Sequence, residues 1–200
     1  WYESRYYRVN FFLENGVLRM RDLYLFNEKF QEKYLKTKCV SAACEYRNLP
    51  VFDGALYSNE KKNVKAGCYF YCGENPVLWN RAEYAESGTS VILSLYSDFG
   101  RLRIELEESN IKVDTDIENS AIISVYDREK VYGKSGNRNE TFANHNGNAS
   151  LSYIEKAVAK DGKIEFLFED FSYSVIFREG TISDDFTVTP KNGKIVVGMS

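Results

Sequence analysis

An antiparallel β-sandwich is what this sequence predicts, and three observations predict it. Tight-turn dipeptides punctuate the second half, with Asp161-Gly162 and Asn192-Gly193 able to supply the positive φ pair that a two-residue hairpin needs. Between the turns lie short segments in which apolar and polar residues alternate, the period of a half-buried strand. Tyr and Phe are abundant, 15 and 13 residues, while Pro is held to 3, a balance that suits pleated surfaces. A parallel sheet would need helices between its strands, and the pattern does not offer them. The expected architecture is mainly β: two packed antiparallel sheets, jelly-roll or super-sandwich in style, with one short helix near residues 27–38. A chain of 200 residues can bury one core, so residues 1–200 are read as a single domain.

Each element follows from local chemistry. Residues 7–13 and 17–25 flank Glu14-Asn15-Gly16 and read as a hairpin. Asn27 caps the predicted helix, in which Phe26, Phe30 and Tyr34 recur at four-residue spacing. Lys33, Lys36 and Lys38 stand near its C-terminal end, where the helix dipole favours cations. Residues 49–54 read as a structured loop around a tight turn, and 59–63 as an exposed connection. Residues 64–72 form a strand, while 80–88 are ambiguous between loop and helical turn. The segment 90–96 is a continuous apolar run. In 101–107, Leu102, Ile104 and Leu106 take one face, and Arg101, Arg103, Glu105 and Glu107 the other. Strands follow at 111–115 and 121–126. Residues 127–147 lack a usable period and make the longest loop candidate, a kind of segment that in compact domains usually carries function. The segments 151–159 and 163–168 pair across Asp161-Gly162, 172–177 forms a strand, and 186–189 pairs with 194–197 across Asn192-Gly193.

Composition excludes some partners. The net charge of −3 is dispersed, with no basic stripe interleaved with aromatics, which argues against nucleic acid. No apolar run approaches the roughly 20 residues of a membrane-spanning helix. The chain opens at Trp1 and ends on Gly198-Met199-Ser200 directly after an apolar run, so a segment of a longer protein is expected ahead of a processed export precursor. Two glycosylation sequons, at Asn139 and Asn148, occur at the frequency chance allows.

Cys39, Cys44, Cys68 and Cys72 lack zinc-site spacing. Reduced, buried thiols are the first expectation, one or two disulfides the second and zinc the last. On the strand, Cys68, Phe70 and Cys72 share a face.

Candidate chemistry is thin. Glu105 and Glu107 lie on one strand face about 7 Å apart by strand geometry, the raw material of a carboxylate pair for glycoside hydrolysis. Arg101 and Arg103 share that face, so a charge-balanced solvated surface is the simpler account. Asp114, Asp116 and Glu118 alternate in a way that admits calcium as a cofactor, but the glycine and terminal glutamate of an EF-hand are missing, and a solvated strand end accounts for them equally. His145, the single histidine, sits in the polar turn 144–147 and would have to serve any His-dependent site. No Gly-x-Ser-x-Gly elbow accompanies it. The aromatic surplus, with Trp79 and Tyr132 foremost, suits stacking on sugar rings or on a protein partner. Candidate ligand-binding residues are therefore Trp79, Tyr132 and His145.

Two stretches, 21–28 continued by 46–55, and 168–180, resemble in style the β-sandwich domains that precede catalytic modules in large bacterial carbohydrate-active enzymes. The resemblance is to a class and covers about half the chain. It implies a non-catalytic accessory or carbohydrate-contacting domain, in a secreted or extracytoplasmic protein, whose partner is a glycan or the catalytic module of the same polypeptide. The alternatives are a self-contained secreted binding protein with a protein ligand, and a small jelly-roll glycoside hydrolase using Glu105 and Glu107.

Overall fold

The computed structural model describes residues 1–30, 48–127, 140–144, 147–151, 156–168 and 170–199. These residues form two large antiparallel sheets and a separate two-stranded ribbon, the predicted mainly β, two-sheet sandwich.

The first sheet begins with β1 (Tyr2–Glu3), β2 (Tyr7–Glu14) and β3 (Val17–Leu25). Asn15 and Gly16 turn β2 into β3 with φ of 52° and 78°, as the sequence predicted. β4 (Leu49–Asp53) adds to β3. The segment expected to be a loop is thus a strand through Pro50, tolerated because β4 lies at an edge and needs no ladder donor there. Asp53 caps the helix α1 (Gly54–Tyr57), accepting from the Leu56 amide at 2.9 Å. Only glycine fits at position 54, since a Cβ there would lie 2.5 Å from the Arg21 carbonyl and 2.7 Å from that of Ala66. A 3-10 turn at Glu60–Lys62 completes the connection. The predicted helix near 27–38 lies mostly outside the described residues. Its described beginning is a turn in which the Lys29 amide donates to Asn27 Oδ1 at 2.9 Å.

β5 (Gly67–Cys72) and β6 (Asn75–Pro76) follow, and then β7 (Arg81–Ser87), β8 (Ser90–Ser97), β9 (Gly100–Leu106) and β10 (Asn110–Thr115) run as a meander in the second sheet. β7 resolves the ambiguity at 80–88. All its residues are exposed, so no buried face imprints an alternation on the sequence, and seven backbone pairs with β8 make the strand. β11 (Ser120–Val125) crosses back to pair with β5. β12 (Glu140–Asn144) and β13 (Gly147–Leu151) pair only with each other. Part of the expected long loop at 127–147 is therefore strand. The rest of that segment lies outside the described residues.

β14 (Lys156–Lys160), β15 (Lys163–Phe168) and β16 (Phe171–Glu179) form a second meander, with Asp161 and Gly162 at φ of 53° and 72° in the predicted turn. β17 (Thr181–Ile182), β18 (Val188–Thr189) and β19 (Lys194–Gly198) close the chain. The predicted last hairpin is corrected here. Asn192-Gly193 does form a tight turn, and Lys191 and Lys194 exchange both backbone hydrogen bonds. The flanking strands then part: β18 pairs with β11 and β17, while β19 inserts between β10 and β16. The dipeptide governs only the turn; burial of Ile195 governs which sheet its strand joins.

The sheet orders are β1-β2-β3-β5-β11-β18-β17, with β4 on β3 and β6 on β5, and β14-β15-β16-β19-β10-β9-β8-β7. Their inner faces share one core, in which Tyr7, Val9, Leu95, Leu102, Val175 and Ile195 are fully buried. Polar ties between the sheets include two from tyrosine hydroxyls. The Tyr7 hydroxyl of β2 reaches the carbonyls of Glu107 (2.8 Å) and Asn110 (3.0 Å) at the β9–β10 turn. The Tyr173 hydroxyl of β16 donates to the Pro50 carbonyl of β4.

Candidate functional site

Between the two tyrosine ties the sheets do not fill the space they enclose. A cavity of about 300 Å³ lies between their inner faces. Protein interiors are close-packed, with few voids larger than a water molecule, so a space of this size needs a cause. Small and medium side chains stand at lining positions: Cys68 and Ser124 on the first sheet, and Val113, Ala157, Val175 and Val197 on the second. Cys68 shows the consequence. It packs against the core, yet its surface is only partly covered, because the cavity lies beside it.

The two walls differ in chemistry. From the second sheet come only aliphatic and aromatic side chains, among them Leu102, Ile104, Phe166 and Ile195. Among the described residues the inward polar lining groups belong to the first sheet and its connections: Tyr57, Cys68, Ser124 and Tyr126. No described lining residue carries a charge. Cys68 and Ser124 are direct cross-strand partners in β5 and β11, and their Sγ and Oγ atoms are 3.4 Å apart. Burial pushes the Cys68 thiol up to about 11, against a smaller opposing effect of the Ser124 hydrogen bond. The thiol is thus neutral at physiological pH and acts as a small apolar group with weak hydrogen-bonding capacity. The Tyr69 hydroxyl donates to the Lys65 carbonyl at 2.7 Å. Just beyond Tyr126, Asp127 is buried and neutralised locally, accepting from Asn59 Nδ2 at 2.5 Å and Lys62 Nζ at 3.2 Å. Its charge is therefore balanced outside the cavity lining.

The residues singled out in the sequence fall elsewhere. Trp79 is 5% exposed, with its ring against Phe70 at 5.8 Å between centroids. It is core and offers no open face for a sugar, because its apolar ring gains more by joining the sandwich interior. Glu105 is paired with Arg103 at 2.8 Å. Glu107 is ion-paired with Lys112 and accepts from Asn110 Nδ2 at 3.2 Å. The hydrogen bond from Lys112 to Glu107 raises the lysine's pKa. Each carboxylate is thus matched to a cation of its own sheet.

Asp114 lies 4.0 Å from Arg103, Asp116 accepts from the Arg101 amide at 2.6 Å, and Glu118 is exposed. Asp116 therefore serves a turn, and among the described residues no three His, Cys, Asp or Glu side chains gather as a metal site. Tyr132, His145, Cys39 and Cys44 lie outside the described residues. Cys68 and Cys72 are free thiols, and both are part-buried where buried thiols were expected.

Sequence reasoning missed Ser124. It stands in phase with Ser120 and Ile122 on the inward face of β11, a phase that is readable in the strand itself. No known family model, curated protein or solved structure matches this chain.

Proposed function

We propose that this chain is a binding domain that encloses a small apolar molecule between its two sheets. The observation that carries the reading is the uncharged cavity of about 300 Å³. Ligand sites are concave, mostly apolar and supplied with a few polar groups, and this chamber has that make-up. An engineered apolar cavity of about 150 Å³ stays dry and takes benzene, so this one has room for about two rings. At roughly 0.8 kcal/mol per heavy atom, a ten-atom hydrocarbon would bind at about −8 kcal/mol, a Kd on the order of micromolar. Calorimetric titration with naphthalene tests this. Binding is expected in the wild type and is expected to vanish in Val113→Phe, whose larger side chain occupies the chamber. Absence of naphthalene binding to folded wild-type protein would sink the reading.

A second reading, a carbohydrate-contacting accessory domain of an exported enzyme, draws support from a different surface. Tyr84 on β7 faces the same side as Leu93 of β8 and is 66% exposed. Its hydroxyl donates to Glu86. An open ring beside a carboxylate is suited to stacking against a sugar while hydrogen bonding its hydroxyls. Glycan-array binding that disappears in Tyr84→Ala supports this reading; an array blank for the wild type removes it.

A further inference from the structure

The chamber is one-sided, and that asymmetry specifies its ligand more narrowly than its volume does. We infer that the ligand is electrically neutral and carries one hydrogen-bonding group, a hydroxyl or carbonyl, which Ser124 reads; this rests on the chamber being the binding site.

Three observations carry the inference. The first concerns charge. Among the described residues no Lys, Arg, His, Asp or Glu lines the space, so an ionised ligand group drawn against them would lose its hydration without gaining a partner charge, a cost that single buried ions rarely recover. The second concerns position. Among the described residues the wall from the second sheet has no side-chain hydrogen-bonding group, so a ligand's polar end is favoured toward the first sheet, where Ser124 of β11 stands. The third concerns capacity. A serine hydroxyl offers one donor and two acceptor sites. The side-chain contact of Ser124 is the Cys68 thiol at 3.4 Å, and sulfur is a weak partner in either direction. The hydroxyl therefore has room for a stronger contact. The expected ligand is a phenol, a short fatty alcohol or a compact ketone. Fatty-acid anions and phosphorylated amphiphiles are excluded from the interior by the same physics.

The test uses the full chain and three probes of matched shape, naphthalene, 2-naphthol and 2-naphthoate, titrated calorimetrically at pH 7 into wild type and Ser124→Ala. Thermal melts confirm that both proteins are folded. In the wild type, 2-naphthol should bind about five-fold tighter than naphthalene, within the range one net hydrogen bond supplies. 2-Naphthoate should bind at least ten-fold weaker than 2-naphthol. In Ser124→Ala the naphthol preference should disappear while naphthalene affinity stays within about two-fold. As an independent reading of location, 2-naphthol should slow alkylation of Cys68 by N-ethylmaleimide, followed by peptide mass spectrometry. Equal binding of 2-naphthol and naphthalene, a preference that survives Ser124→Ala, or tight binding of 2-naphthoate would each overturn the inference while leaving the chamber intact. Failure of all three probes to bind would remove the chamber reading and this inference with it.

Discussion

The two walls of the cavity are built from similar strands but carry different loads. The wall from the second sheet is a run of alternating strands, as in β9, where Leu102, Ile104 and Leu106 point inward and Arg101, Arg103 and Glu105 point out. It contributes packing and no interior polarity. The wall from the first sheet includes Cys68, Ser124 and the lining tyrosines, and it packs less completely where small polar side chains replace aliphatic ones. Both sheets contribute apolar burial, Val9 and Leu49 on the first and Leu102 and Ile195 on the second, and the first also presents polar side chains to the space.

That division can be broken by experiment. The largest effect is expected from Leu102→Ala, which removes a 1%-exposed side chain from the aliphatic wall and should cost about 3 kcal/mol in urea unfolding. Ser124→Ala on the opposite wall should cost under about 1 kcal/mol, because its side-chain contact is one weak hydrogen bond to sulfur. Similar costs for the two variants would mean that the walls share the packing load.

The next effect is a pH dependence to which Cys68 of the polar wall contributes. A thiol raised on folding stabilises the native state fully below its ordinary pKa, and that contribution is lost as pH rises through the folded value. For Cys68 the window runs from 9.0 to about 11, with a loss on the order of 2 kcal/mol. Burial raises Tyr7 and Tyr173 in the same direction, so the whole protein should weaken in base. The slope between pH 9 and 11 should become shallower in Cys68→Ala. An unchanged slope would show that the thiol does not titrate as a buried group.

The smallest effect lies on the solvent side of the aliphatic wall. Glu105→Gln removes one partner of a part-exposed ion pair with Arg103, for which about 0.5 kcal/mol or less is expected. A loss above 1 kcal/mol would move Glu105 from a surface balance to a structural role.

How much of this was legible follows from how each region is constrained. The β9–β10 meander and the turns at Asn15-Gly16 and Asp161-Gly162 could be read directly, because alternation and positive-φ dipeptides are local properties. β4 and β7 could not. Pro50 disguised an edge strand, and β7 has no buried face to create a pattern. Trp79 was drawn toward a binding role by its residue type, although tertiary packing places it against Phe70. Ser124 was overlooked for the opposite reason: its phase with Ile122 marks an inward hydroxyl, but that it borders a space shows only once the facing wall is known.

By itself, the sequence determined that this is a two-sheet antiparallel protein, since strand period and turn chemistry act over a few residues and do not depend on distant partners. Tertiary structure alone decided that the Asn192-Gly193 turn divides its two strands between different sheets, and that small residues distant in the chain meet around one space. Both are outcomes of long-range burial, in which each strand takes the neighbour that covers its apolar face best. A cavity is the volume left after those choices are made, so no single segment of the sequence encodes it.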